Sequence, residues 1–377
     1  MLSLQSSNLY NNLIFSASSR EAFYFQDQIK DGITYRIFLY RLASYTDFTL
    51  PDALESRGIM FEMNREIPVR LACRPPEKFF NLNENPFTQN VDLNSVKEVM
   101  FKVDGSLIST YIHNGHLCVK TKGSLASDQA IAAGKLLQNV ENVSFFQELL
   151  TLEQNGYTVN MEYVGPTNRI VLGYENEDLI VLGIRDRETG KYFYPNPNQY
   201  PHLAAKWVSK VMFSNPIELI NNVKQLTGIE GYVIRLSTGQ HIKVKCDWYV
   251  SLHLTKDSIN SPRRLYEVIL DEGADDLLAM FYSDTIAVKL INEMKENVDK
   301  LYNHLVSTVE TFYETNRALG RKDYAILGQK ELDQLYFGLA MSKYLGKNVD
   351  FRDYMKRKYK DFGIKDERVN NEDEQDT

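Results

Sequence analysis

"FKVDGSLIST" (residues 101–110) sets a lysine two residues ahead of an Asp-Gly pair, at the end of a strand-like run, and the reading of that lysine decides the fold. Strand alternation places Lys102 and Asp104 on one face, with Phe101 and Val103 on the other. Gly105 supplies the backbone freedom that a following turn needs. Alone, K-x-D-G is four residues with one wildcard, and a surface hairpin explains it well. Its weight comes from the strands around it.

Those strands repeat one device. "VKTKGS" puts Lys120 and Lys122 on one strand face, and "HIKVKCDWY" sets Lys243 and Lys245 on the face opposite Ile242 and Val244. "MEYVG" and "IEGYVI" place Glu162 and Glu230 inside apolar strands. A solvated sheet face accounts for any one of these. Together they describe a pocket of several cations and a few acids, suited to a triphosphate and its metal. A free lysine titrates near 10.4 and is a poor nucleophile at neutral pH. Neighbouring cations, a metal and partial burial would favour its neutral amine.

The chain divides in two by its patterning. Residues 33–260 are dominated by short alternating runs broken by turn signals, which predict an α+β domain on antiparallel sheet. Helices are expected over "SDQAIAAGKLLQNV" and "SFFQELLTLEQNG", each starting at an N-cap serine, the second stopping at Gly156. From Pro262 onward the pattern is helical. Ile291, Met294, Val298, Leu301, Leu305, Val309 and Phe312 recur every three or four residues as one apolar face. The boundary is expected near residue 257, giving domains 1–257 and 258–365, the second all-α.

Net charge is −7, but residues 366–377, "DERVNNEDEQDT", hold six acids against one arginine. The rest carries 42 basic and 44 acidic residues, so a nucleic-acid surface must be a local patch. The acidic tail is expected to be disordered. "RR" (263–264), "RALGRK" (317–322) and "MKRKYK" (355–360) are patches that fit either a phosphate backbone or ordinary solvated helix faces. Three scattered cysteines and no CxxC argue against a disulfide framework or structural zinc. "HNGHLC" (113–118) reads as a hairpin turning at Asn114-Gly115 rather than a metal site. No membrane span or signal peptide is read, so a cytoplasmic location is expected, and no heptads suggest more than a monomer.

The order K-x-D-G, K-G-S, N-x-E-Y, E-G-Y, K-x-K resembles that of the covalent nucleotidyltransferases: RNA ligases, DNA ligases and mRNA capping enzymes. "TYRIFLYRLASYTDFTLPDALESRGIMFEM" (34–63), "RPPEKFFNLNENPF" (74–87), "GPTNRIV" (165–171) and "KCDWYVSLH" (245–253) narrow the likeness to the RNA ligase 1 family of T-even bacteriophages. It runs from about residue 33 to 257 and continues, more weakly, into "GADDLLAMF" (273–281).

The resemblance implies a nucleotidyltransferase domain of the ATP-grasp-like ligase kind and an all-helical RNA-specificity domain. It implies Lys102 as the nucleophile that takes AMP from ATP, with Asp104 and Gly105 completing its motif. Arg57 and Glu162 would bind the nucleotide sugar and nearby phosphates, Phe80 would stack on adenine, and Lys78 and Lys122 would contact the nucleotide or its phosphates. Tyr40 would lie on the phosphate side. Glu230 would hold a catalytic metal, and Lys243 and Lys245 would grip the α-phosphate. Asp275 and Asp276 match acids that hold a further metal, although an acidic helix start also explains them. Val103 departs from the T-even member, which has an acid there; alternation turns that side chain away from Lys102. The implied activity is ATP- and Mg2+-dependent joining of RNA 5′-phosphate and 3′-hydroxyl ends, with Mn2+ able to substitute and a cleaved tRNA anticodon loop in a phage-infected host as substrate. The rivals are a DNA ligase or capping enzyme, which would carry a β-barrel after K-x-K, and an inactive RNA-end-binding relative.

Overall fold

A computed structural model describes residues 2–168, 172–253, 261–282 and 284–364, with only the backbone at 252 and 253. The chain forms two compact units, Met1–Leu252 and His253–Thr377. The boundary expected near residue 257 and the acidic tail both lie outside the described residues.

In the first unit α1 (Leu4–Ser19) is capped by the Ser3 hydroxyl, which accepts from Ser6 N. There follow β1 (Phe23–Lys30), β2 (Ile33–Tyr40), β3 (Met60–Asn64) and β4 (Ile67–Cys73), then β5 (Val96–Phe101), β6 (Ser106–His113) and β7 (His116–Lys120). α2 (Asp128–Gln138) and α3 (Val143–Gln154) precede β8 (Tyr157–Val164), β9 (Asp178–Asp186) and β10 (Tyr192–Phe193). α4 (Pro201–Ala205), α5 (Pro216–Val223), β11 (Gly231–Leu236), β12 (His241–Lys245) and α6 (Asp247–His253) complete it.

The strands make three antiparallel sheets, ordered β1-β2-β3-β4, β10-β9-β8-β6-β7 and β12-β11-β5. Local chemistry sets the turns. Asn114 and Gly115 both take positive φ, 48° and 80°, which the two-residue β6–β7 hairpin requires. His113 is tied to Tyr35 and Asp31 by hydrogen bonds of 2.9 Å, so the HNGHLC segment is a hairpin. α2 and α3 bury Ala133, Leu137, Phe145 and Leu149 against the five-stranded sheet. α5 covers the three-stranded one with Ile220 and Val223.

One helix start is corrected. α2 begins at the Ser127 cap as the sequence suggests, but α3 starts two residues earlier than expected, with Asn142 rather than Ser144 at its cap position. Gly156 (φ +90°) ends it as expected.

The second unit is helical throughout its described residues: α7 (Pro262–Leu270), α8 (Ala274–Met280), α9 (Thr285–Asn316), α10 (Arg321–Glu331), α11 (Gln334–Tyr344) and α12 (Phe351–Arg357). Ser261 caps α7 and Pro262 takes its first turn, where the missing N–H costs nothing. α9 buries Ile291, Val298, Leu305, Val309 and Phe312, and α7, α8, α11 and α12 pack along it. α10 ends at Glu331, and α11 restarts after Leu332 from an Asp333 cap. No helix among the described residues is long and apolar enough to cross a membrane.

Candidate active site

β5 belongs to one sheet and β6 to another, so the chain crosses between sheets at residues 102–105. This corrects the expected strand face: β5 stops at Phe101, and Lys102 to Gly105 form a non-strand crossing. Lys102 is pinned by its backbone, N–H to Gly231 O at 2.9 Å. Its Nζ reaches Glu230 Oε1 at 2.8 Å, and Lys245 Nζ approaches the same oxygen at 3.3 Å.

Glu230 stands just before β11 and is buried. Gly231 follows with φ +141°, and a Cβ there would lie 2.2 Å from Val244 O, so close β11–β12 pairing demands glycine. Glu230 Oε2 is buried with no hydrogen-bond partner among the described residues. A carboxylate with one oxygen taken by two ammoniums and the other orphaned suits a hard divalent cation.

Asp104 is taken up by neighbouring segments rather than by Lys102. Its Oδ1 accepts from Tyr249 OH at 2.8 Å and its Oδ2 from Leu172 N at 2.7 Å, while its own N–H donates to Tyr174 OH at 3.2 Å. It therefore acts as the peg that fixes the crossing segment. Gly105 N donates to Glu162 Oε1 at 3.1 Å. Burial pushes the Glu162 carboxyl up to about 7, against the opposing pull of Lys102.

Gly105 is packed so tightly that a Cβ would lie 2.4 Å from Tyr163 O, a backbone atom that cannot swing aside. Gly105→Ala is expected to displace the crossing segment and to lower stability by about 1–3 kcal/mol, the usual cost of forcing extra volume into a packed site. Urea unfolding checks it; a loss below about 0.5 kcal/mol would show that the segment tolerates the shift.

On β12 Lys243 and Lys245 share a face and Ile242 and Val244 are buried, as the alternation predicts. The other expected face fails. β7 ends at Lys120, which is fully buried and donates to Gly58 O, Thr121 O and Lys122 O at 2.9, 2.9 and 3.3 Å. Lys120 is thus a strap under the Arg57–Gly58 turn, and Lys122 alone emerges. Lys122 and Lys78 lie over the Tyr40 ring, at 4.5 and 5.7 Å from its centroid.

Phe80 is buried with Phe23 and Phe48, and Phe87 stacks on its ring at 5.3 Å and 8°. The ring expected to stack on adenine already has a parallel partner. Its neighbour Phe79 instead carries the Arg57 guanidinium at 5.5 Å. Asp275 and Asp276 occupy the first turn of α8 in the second unit.

Sequence reasoning missed Tyr249 and Tyr174, the partners of Asp104, because nothing local marks either. It also missed Glu55, Arg74 and Arg185, a buried ionic network beside Arg57. The basic clusters of the second unit are largely paired: Arg263 with Glu267, Lys356 with Asp271, Arg357 with Asp353, Lys358 with Asp361. Tyr354 donates to Leu335 O, and Tyr359 lies under Arg263 at 4.6 Å. These contacts favour the reading of solvated, self-neutralised helix faces.

Comparison with known proteins places this geometry. A family model described as RNA ligase matches residues 55–249, and one described as the C-terminal domain of T4 RNA ligase 1 matches residues 256–364. RNA ligase 1 of bacteriophage TS2126 is 24% identical over 287 residues, 74% of this chain and 71% of that protein. A Thermovibrio ammonificans protein named as a candidate RNA ligase is 25% identical over 305 residues, 78% of each chain. Among solved structures, an archaeal ATP-dependent RNA ligase aligns over 81% of this chain and 80% of its own, at 12% identity and a TM-score of 0.47. No strand follows β12 among the described residues, where a DNA ligase or capping enzyme would be expected to carry a barrel. A lysine held between two sheets by the residues of K-x-D-G, E-G and K-x-K is therefore found in a chain more than half of which the RNA ligase model covers, and the chain belongs to the RNA ligase family.

Proposed function

We propose that this ligase works through covalent nucleotidyl transfer at Lys102 with ATP as the donor. The observation that carries the reading is the Lys102–Glu230–Lys245 arrangement: a nucleophile, an acid with an orphaned oxygen, and a second cation within 3.3 Å of one carboxylate oxygen. Lys102 Nζ attacks the α-phosphorus, a P–N bond forms, the bond to pyrophosphate breaks and the nitrogen loses its proton. Lys243 and Lys245 stabilise the charge that grows on the α-phosphate oxygens. A 5′-phosphate oxygen of RNA then displaces the lysine, giving an adenylated end. A 3′-hydroxyl attacks that end, AMP leaves and the phosphodiester is made.

Paired with Glu230, the amine of Lys102 is occupied as a hydrogen-bond donor. Glu230 Oε2 would hold a divalent cation, Mg2+ or Mn2+, which would neutralise phosphate charge. Release of the Glu230 pairing frees the Lys102 nitrogen to attack. The Arg57, Glu162 and Phe79 side is where sugar and base would lie, with Lys78 and Lys122, set over the Tyr40 ring, as the cationic wall.

We infer RNA with a 5′-phosphate and 3′-hydroxyl as substrate, and a cleaved tRNA anticodon loop as its natural form, on the match of residues 256–364 to a T4 RNA ligase 1 C-terminal domain. The test is labelling of protein freed of bound AMP with ATP carrying radiolabel in the α-phosphate, with and without magnesium. Label is expected on the protein only with magnesium, and is expected to leave it when 5′-phosphorylated RNA is added but poorly with DNA. Nicked tRNA should chase it faster than unstructured RNA. Absence of label would leave a protein that binds RNA ends without joining them.

A further inference from the structure

Lys120 closes β7 with no exposed surface, and the chemistry above gives it nothing to do. Its Nζ donates to Gly58 O and Thr121 O at 2.9 Å and to Lys122 O at 3.3 Å. Three acceptors match the three protons of an ammonium, and a neutral amine would leave one of them unmet. Burial pushes that ammonium down, and no acid acts on it among the described residues. Cys73, which does act on it, is pushed up to about 11 by burial and stays a neutral thiol. Burying a charge without a carboxylate partner is unfavourable, and an apolar side chain would pack there at lower cost. The charge calls for a reason beyond packing.

The three carbonyls lie on the two backbone segments that carry Arg57 and Lys122. Those segments touch: Gly58 has φ +96°, and a Cβ there would lie 2.4 Å from Lys122 O. Carbonyl oxygens brought together in a dry setting repel, and an ammonium between them turns the repulsion into attraction. From this junction the two side chains run to the nucleotide side. The Arg57 guanidinium lies over Phe79 and, with Lys102, pulls against the burial that raises Glu162. Lys122 Nζ lies over the Tyr40 ring at 4.5 Å. Beyond Lys122, Gln28 holds the loop to β1: its Nε2 donates to Gly123 O at 2.8 Å and its Oε1 accepts from Leu125 N at 2.9 Å. Lys122 is thus anchored on both sides, and Lys120 supplies the tie to Arg57.

We infer that Lys120 is a positioning residue for RNA joining: its ammonium fixes the backbone of Arg57 and of Lys122 relative to one another, without touching substrate itself. The inference rests on the nucleotidyl-transfer reading above, in which both cations face the nucleotide and its phosphates. Long side chains reach a fixed target only from a fixed backbone. Loosening the junction spreads both charges over more positions and weakens their hold on the reacting phosphates.

The test measures joining of 5′-phosphorylated RNA by wild type, Lys120→Met, Lys120→Arg, Lys122→Gln and the Lys120→Met/Lys122→Gln double variant. Leu149→Ala, which opens a cavity in the apolar core under α3, is the control for lost stability. Urea unfolding sets conditions in which every variant is folded. Lys120→Met is expected to join at least about tenfold more slowly than Leu149→Ala, a coupling typical of groups in one network. Lys120→Arg, which keeps a cation and its donors, should recover to within about threefold of wild type. Added to Lys122→Gln, the methionine change should cost less than about a third of what it costs alone, because one of its two targets is already gone. If Lys120→Met does not fold, Lys120→Gln, with a single amide donor group, takes its place. A folded variant that joins as fast as Leu149→Ala, or losses that simply multiply in the double variant, overturns the inference alone. Wild type that neither takes label from α-labelled ATP nor joins RNA overturns the nucleotidyl-transfer reading, and this inference with it.

Discussion

Lys102→Ala is expected to take no label from α-labelled ATP, a loss of at least about 10⁴-fold in adduct formation, because the proposed mechanism takes the attacking nitrogen from Lys102. Lys245 is the nearest alternative, 3.3 Å from the shared Glu230 oxygen, but it extends from β12 rather than from the crossing segment. Lys102→Arg serves as the control for structure. Its guanidinium can keep the pairing with Glu230 yet stays protonated and cannot attack. Both variants should still join RNA adenylated beforehand at its 5′ end, since that step needs the site but not the lysine as nucleophile. Label on either variant would remove Lys102 from the role. Loss of joining with adenylated RNA in the alanine variant alone would mean that the Glu230 pairing, which arginine retains, also orders the site for the last step.

The parts of this site that the sequence shows are those whose chemistry is local. K-x-D-G carries its lysine, peg and glycine within four residues, and K-x-K shows its face by simple alternation, so Lys102, Asp104, Gly105, Lys243 and Lys245 are legible without a structure. Lys120 was misread because alternation reports which face a residue is on and not what covers that face. Here the covering is three carbonyls, one from Gly58, 62 residues away in sequence. The parallel stacking of Phe87 on Phe80 is likewise not legible, because it joins two side chains seven residues apart through a loop. The start of α3 slipped from Ser144 to Asn142, which makes no side-chain cap hydrogen bond, so no capping signal marks it in the sequence. The ionic network beside Arg57 was invisible, because Glu55 meets one arginine 19 residues on and another 130 residues on.

That network is where the largest loss of stability is expected. Glu55 accepts from Arg185 Nη1 and Nη2 and from Arg74 Nη2, each at 2.8 Å, and all three side chains are buried. Arg185 further holds Pro75 O and Gly190 O, and Arg74 holds Arg187 O and Glu188 O. Lys78 N donates to Leu54 O and Arg57 N to Glu55 O, so the cluster also fixes two expected nucleotide ligands. Glu55→Gln keeps the shape and removes the one negative charge both guanidiniums share. The variant should lose about 3–5 kcal/mol, the cost of leaving buried charges unpaired. Trp207 and Trp248 are the only tryptophans and both lie in the first unit, so fluorescence in urea follows this unit alone. Burial raises the Glu55 carboxyl, but Arg185 and then Arg74 outweigh it and hold the group below the ordinary range. A depressed carboxyl stabilises above its unfolded value of about 4.3 and loses that contribution as pH falls through the folded value. The gap between wild type and Glu55→Gln should therefore be full at pH 7 and shrink in acid. A gap below about 1 kcal/mol at pH 7, or one that widens in acid, would mean that the two arginines are satisfied by their carbonyls and that Arg57 and Lys78 are held by the backbone alone.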